Sequence, residues 1–284
     1  MQIALAQQDG RAARRSVIPG FGATLGIALL YLTLIVLIPL AALVLAAAGP
    51  GIAGVLATLA DPRVAAAFRV SFGIAFAAAL INGAVGLVVA WVLVRYRFPG
   101  RRLLDGLVDL PFALPTAVAG IALAALYADT GWIGGFFARF GIDIAFTPRG
   151  ILVALVFIGL PFVVRTVQPI LADLEHEAEE AALTLGATRR QIFFRVVLPA
   201  LLPGVLTGMS LAFARGLGEY GSVIFVAGNM PGPSEIVPLL IVIKLDQFDY
   251  AGAAIIGVAM LVASFAILLA LNLGQFLMRR RHGA

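Results

Sequence analysis

Cysteine is absent from the 284 residues, which excludes disulfides, thiolate metal sites and cysteine nucleophiles. Histidine occurs only as His176 and His282, far apart in the chain, so a histidine metal cluster is not expected. Lysine occurs once, as Lys244. A Walker-type phosphate loop needs Gly-Lys followed by Ser or Thr, and that triplet is missing. If ATP drives this protein, another chain must bind it. Charge is scarce as well. Only 12% of residues are charged and 62% are hydrophobic, against about 25% charged in an average soluble domain. A soluble core cannot absorb that much apolar surface, whereas a bilayer can.

Long apolar runs extend from end to end. A spanning helix needs about 20 apolar residues. The runs fall at 21–48, 72–94, 110–128, 151–164, 198–227 and 251–278. The fourth is short and must extend toward Ile170, with Arg165 snorkelling to the interface. The fifth is interrupted by Arg215 and Glu219. These runs predict an all-α, polytopic membrane protein with six transmembrane helices. It divides into an N-terminal segment 1–20, a membrane domain 21–278 and a tail 279–284. The first apolar run is too long for the h-region of a cleaved signal peptide. The segment 236–243 is too short to cross, and Pro238 interrupts it. It is expected as an interfacial or re-entrant helix on the outer side, with Ser234 as N-cap.

The positive charge is almost all arginine, placed at the edges of the apolar runs. With the N-terminus inside, Arg11, Arg14, Arg15, Arg95, Arg97, Arg101, Arg102, Arg165, Arg189, Arg190, Arg195 and Arg279–Arg281 fall on the cytoplasmic side. Only Arg63, Arg69, Arg139, Arg149 and Lys244 fall outside. That bias follows the positive-inside rule and puts both termini in the cytoplasm. The arginines are read as topology signals, and no nucleic-acid partner is expected.

The longest inside loop, 169–199, reads as two short helices. Asp173 can cap the first, over 174–185, and Gly186 can end it. Thr188 starts the second, and Gln191 three residues later completes a capping box. Ile192, Phe193, Phe194, Val196 and Val197 lie among Arg189, Arg190 and Arg195. One reading is an amphipathic connector. The other is a docking helix for a partner's groove, favoured by aromatic residues that are costly to expose without a partner.

Glu180-Ala181-Ala182, three residues, Gly186, nine residues, Val196, one residue, Leu198-Pro199 resembles the EAA loop of ATP-binding-cassette (ABC) importer permeases of type I. Valine stands where that pattern has isoleucine. The resemblance extends from about Phe68 to Met278. The segments 111–120, 215–221 and 223–229 look like molybdate and sulfate permeases, and 239–250 is similar to T-type sulfate permease subunits. It implies the inner membrane of a bacterium, and a loop that couples to an ABC ATPase dimer through Glu180, Ala181, Ala182, Gly186, Phe193, Phe194, Leu198 and Pro199. It also implies ATP and Mg bound by that ATPase, with no cofactor in this chain. A sister permease subunit, more readily a different chain than a second copy, and a periplasmic or lipid-anchored sulfate-binding protein complete the partners. The cargo implied is sulfate or thiosulfate; the alternative is molybdate or tungstate.

Arg215 and Glu219, four residues apart, would share one helix face. A charge at bilayer depth costs at least about 2.5–3.5 kcal/mol, so both should face protein or a water-filled path. They form either an internal lock, with an interhelical partner in prospect because Arg before Glu is the weaker order within a helix, or a translocation gate. In the gate reading Arg215 offers a positive field to a passing dianion, and Glu219 keeps the anion from being trapped. No cluster of His, Asp and Glu on facing spans suggests a membrane enzyme, and no pair of broken-helix repeats suggests a secondary transporter.

Overall fold

The structure, a computed structural model, describes residues 21–174 and 176–282, with side chains up to Gln275 apart from that of His176. The predicted segment 1–20 and the last two residues of the predicted tail lie outside the described residues. No strand occurs among the described residues. The chain divides at Leu45 into two units, each described by itself.

The first unit contains most of α1 (Phe21–Ala48). Its middle turn, Thr33–Leu37, is a π turn in which the Ile38 N–H donates to the Thr33 carbonyl. Pro39 follows. Proline has no N–H and its ring crowds the carbonyl four residues back, so widening the preceding turn absorbs the misfit.

The second unit begins with α2 (Gly51–Leu59) and α3 (Pro62–Arg95). The Asp61 carboxylate caps α3 by accepting the Arg63 N–H at 2.8 Å, with Pro62 at the first helical position. At about 1.5 Å per residue α3 is roughly 51 Å long, longer than the bilayer core. The predicted third span is broken. After α4 (Arg101–Val108), α5 (Leu110–Ala113) and α6 (Thr116–Tyr127) replace the one continuous helix expected over 110–128. Pro115 forces Leu114 into extended backbone, ψ 136°. The short α7 (Gly134–Ala138) follows in the loop beyond.

α8 (Pro148–Asp173) is the fourth span and runs on through Pro161 and Pro169. It therefore carries the first residues of the predicted loop, and Asp173 is its last residue rather than the cap of the next helix. α9 (His176–Thr184) is that next helix. α10 (Arg189–Leu217) is continuous from the second loop helix into the membrane, with a π turn at Phe193–Val197 just before Pro199. It ends at Leu217, short of the predicted Ala227, and α11 (Val223–Val226) is a separate turn. α12 (Val237–Asp246) and α13 (Tyr250–His282) complete the chain. Among the described residues five helices, α1, α3, α8, α10 and α13, are long and apolar enough to cross a membrane.

The core of the second unit is a packed trio of α3, α8 and α10. Small residues set its close approach, as membrane helices require. A Cβ at Gly86 would overlap Val163, and one at Gly208 would overlap Val163 and Thr166. One apolar cluster gathers Val163, Val164, Val167, Leu171, Val197 and Leu201 at the end nearer α9. Another gathers Ile151, Leu155, Phe213, Leu217 and Val223 toward the opposite end. Asn82 donates from α3 to the Leu155 carbonyl at 3.5 Å, and Gly159 leaves the room for it.

Candidate functional site

The spacing of Glu180-Ala181-Ala182 and Gly186 has a backbone reason. Gly186 has φ +81° and donates its N–H to the Leu183 carbonyl at 2.9 Å. Ala187 donates to the Ala182 carbonyl at 3.0 Å. Together these form the Schellman end of α9, with Ala182 three residues inside the cap and Gly186 just outside it. The accompanying apolar contact is supplied by Ala182 and Ala187, both packed on the cluster around Val197. Glycine is required at 186 because an L side chain resists that left-handed conformation.

The next helix start matches its predicted capping box. The Thr188 hydroxyl accepts from the Gln191 N–H at 3.3 Å, and the Gln191 amide oxygen accepts from the Thr188 N–H at 2.8 Å. At the π turn the Leu198 N–H reaches back to the Phe193 carbonyl, which again spares a proline, Pro199. This turn rotates Ile192 and Val197 into the core while leaving Phe194 exposed. Ala182, Phe193 and Leu198 are half-buried; Glu180, Ala181, Gly186 and Pro199 are exposed. Leu185, at the very turn, is 88% exposed. Glu180 has no ion pair among the described residues.

Both halves of this segment are tied to one turn of α3. Arg95 pairs with Glu179 of α9 and lies over the Trp91 ring, 5.4 Å from its centroid. Trp91 meets Phe193 edge-on at 5.4 Å, and Phe193 meets Phe194 at 5.1 Å. Arg190 covers the other ring of this pair, at 5.9 Å. The sequence reading passed over Trp91 and Glu179 and took Arg95 only as a topology signal. The signal was there: Trp91 and Arg95 are four apart at a helix end, so they share a face.

Arg165 does not snorkel to solvent alone. Its Nε and Nη2 bind both oxygens of Asp109 at 2.8 and 2.5 Å, and Nη1 binds Asp105 at 2.7 Å and Gln168 at 2.6 Å. The hydrogen bond from Arg165, then that from Gln168, holds the Asp105 carboxyl below its ordinary range. This cluster fixes α4 against α8.

Arg215 and Glu219 pair with each other at 2.7 Å, and no interhelical partner is found among the described residues. They do not share a helix, since α10 ends two residues before Glu219. Glu219 is 3% exposed. Its other oxygen accepts from both the N–H and the hydroxyl of Ser222, each at 2.8 Å. The carboxylate therefore ties three things: the last turn of α10, the turn after it, and α11. Arg215 is 36% exposed and has no second ion pair among the described residues.

The outer segment is held in a way the sequence reading did not anticipate. Glu235 is fully buried and takes both Nε and Nη2 of Arg63, at 2.8 and 2.6 Å. The N–H of Val237, which opens α12, donates to the Ser71 hydroxyl of α3 at 2.8 Å. Ser234, the expected cap, instead accepts from the Met230 N–H at 3.0 Å. α12 is thus not merely interfacial: Val237, Leu239 and Leu240 are buried against α3 and α13. Lys244 and Arg149 serve their own loops, through Asp249 at 2.9 Å and the Asp143 carbonyl at 3.0 Å.

A helical membrane protein with a two-helix loop braced against its central spans is the class these features define. Similar folds include a bacterial alginate ABC transporter bound to its alginate-loaded periplasmic protein (TM-score 0.73, 17% identity, covering 92% of this chain and 94% of that one). The MetNI methionine ABC transporter is more distant (TM-score 0.52, 20% identity, 78% and 98%). The chain belongs to the family described as binding-protein-dependent transport system inner membrane component, matched over residues 82–282. It is 49% identical over 267 residues to the sulfate transport system permease protein CysT of Escherichia coli, covering 94% of this chain and 96% of that one. It is 51% identical over 249 residues to the protein of that name from Synechocystis, covering 88% and 87%.

Proposed function

We propose that this chain is the membrane permease subunit of an ABC importer that moves sulfate, or thiosulfate, inward by alternating access. The observation that carries this reading is identity near one half, over almost the whole chain, to sulfate transport permeases of several organisms. Relatives at that similarity are sulfate permeases by name, which favours sulfate over the molybdate alternative. The chain is a transport subunit. ATP and Mg belong to a separate ATPase dimer.

The segment from α9 to the π turn is the docking element for that ATPase. Glu180, Leu185 and Phe194 supply its exposed carboxylate and apolar points, while the Schellman turn and capping box keep it stiff. Movement of this segment passes to α3 through Arg95, Trp91 and Phe193. On this reading the coupling end and both termini are cytoplasmic, and 131–147 faces outside. A sister permease completes the path, and a sulfate-binding protein delivers the anion to the outer face. Glu219 is chiefly a lock. Arg215, with an open guanidinium edge, lends positive potential to the path without holding the anion tightly enough to trap it.

Co-purification tests the assembly. The wild-type chain should bring down an ATPase, and L185S/F194S should lose it while still inserting in the membrane. Retention of the ATPase by that variant would remove the segment from the docking role. A single cysteine at 282 should be labelled only after the membrane is opened; labelling by an impermeant reagent from outside would reverse the orientation.

A further inference from the structure

Between α3 and α4 the turn Tyr96–Gly100 doubles back, with Gly100 at φ +85° and the Arg101 N–H bonded to the Phe98 carbonyl at 3.3 Å. This brings Arg97, Arg101 and Arg102 around one hollow with Phe98 and Gly100. All three arginines are exposed, and none has an ion pair among the described residues. The nearest carboxylates in sequence, Asp105 and Asp109, are already held by Arg165. The same short helix carries a second, different face. Leu103 and Leu107 are 69% and 48% exposed, while Val108 turns into the core. At 100° per residue the two leucines lie side by side, away from Arg101 and Arg102.

A helix with cations on one side and bare leucines on another, fixed at the end of a spanning helix, fits a membrane interface. Its Arg165 anchor and the Arg95–Glu179 pair put it at the same end of the molecule as the coupling segment. We propose that Arg97, Arg101 and Arg102 bind the phosphate headgroup of an anionic phospholipid, with Leu103 and Leu107 against its acyl chains. The charge is complementary, guanidinium forks match phosphate oxygens, and the leucines account for a lipid rather than a free ion.

The test is native mass spectrometry of the full chain in its purified complex, delipidated and then offered palmitoyl-oleoyl-phosphatidylglycerol or palmitoyl-oleoyl-phosphatidylcholine. The expected result is retention of the phosphatidylglycerol over the phosphatidylcholine, reduced about a hundredfold in R97Q/R101Q/R102Q and about fivefold in each single variant, as for juxtamembrane charges near anionic lipid. The single variants keep the result readable if the triple fails to insert. L103S/L107S should also weaken lipid retention while leaving subunit composition intact. Three results would overturn the proposal. One is equal retention of both lipids by the wild type. Another is full displacement of the lipid by millimolar inorganic phosphate with no effect of L103S/L107S, which marks a free-oxyanion site. The third is loss of the sister subunit in L103S/L107S with lipid retention unchanged, which marks a protein interface.

Discussion

Gly186→Val isolates the turn at the heart of the coupling segment. A Cβ at Gly186 would meet nothing within 4 Å, so the cost is not a clash. It is the backbone: φ is +81°, and left-handed geometry costs an L residue about 1–2 kcal/mol, a β-branched one being the least tolerant. That energy corresponds to a roughly 5- to 30-fold shift between the formed and opened turn. An opened turn loses the Gly186 and Ala187 hydrogen bonds to Leu183 and Ala182, and with them the angle between α9 and α10. Of this turn only Ala182 and Ala187 pack on a core cluster, both partly buried, so insertion should survive. ATPase co-purification and uptake should fall about tenfold. Gly186→Asn, which accepts the left-handed region more readily, should fall much less, with Gly186→Ala between. Asparagine as damaging as valine would refute the strain argument, and wild-type uptake by Gly186→Val would remove the turn from coupling altogether.

Four further outcomes follow from the geometry. In Glu219→Leu the buried Ser222 N–H loses its acceptor and Arg215 loses its partner, for about 1–3 kcal/mol from the orphaned donor; Glu219→Gln, which keeps an acceptor, should be milder by thermal unfolding. Arg215→Met with Glu219→Gln should then assemble with near-normal ATPase, and reduced sulfate uptake in it would support the path reading, whereas normal uptake would leave Arg215 a lock alone. Asp105 has its pKa lowered from 3.8, so its stabilising effect is present above the unfolded value and is lost only as pH falls through the lower folded value. Thermal stability should therefore show no titration from Asp105 between about pH 5 and 8, and a transition there that disappears in Asp105→Asn would contradict the assignment. Gly159→Ala should displace the Asn82 amide from the Leu155 carbonyl and lower the unfolding temperature, at about 1–3 kcal/mol for the broken buried bond.

Much of this was legible in the sequence because it rests on local rules. The apolar runs located the spans, the Thr188–Gln191 capping box appeared as written, and Gly186 took the left-handed turn its place after Glu180-Ala181-Ala182 suggested. What local rules missed were competitions between rules. Pro115 broke a run that hydropathy joined, whereas α8 runs on through Pro161 and Pro169, and a π turn lets α10 run on through Pro199. Gly218 ended α10 early, so a pair read as sharing a helix face became a clamp across a helix end. The longer-range partners were invisible for another reason. Arg63 and Glu235, or Arg165 and Asp105, are far apart in sequence, and nothing in either segment alone names the other. Arg165 was read as seeking water because its partners could not be seen.

The central claim is that this chain forms part of a sulfate path opened by ATP on a partner. Proteoliposomes containing this chain, its sister permease, the ATPase and the binding protein, with ATP on the ATPase side, measure it directly. Labelled sulfate should accumulate only when all four are present, should exceed labelled molybdate, and should vanish when this chain is left out. Uptake that persists without this chain, or molybdate carried in preference to sulfate by the complete assembly, would contradict the account.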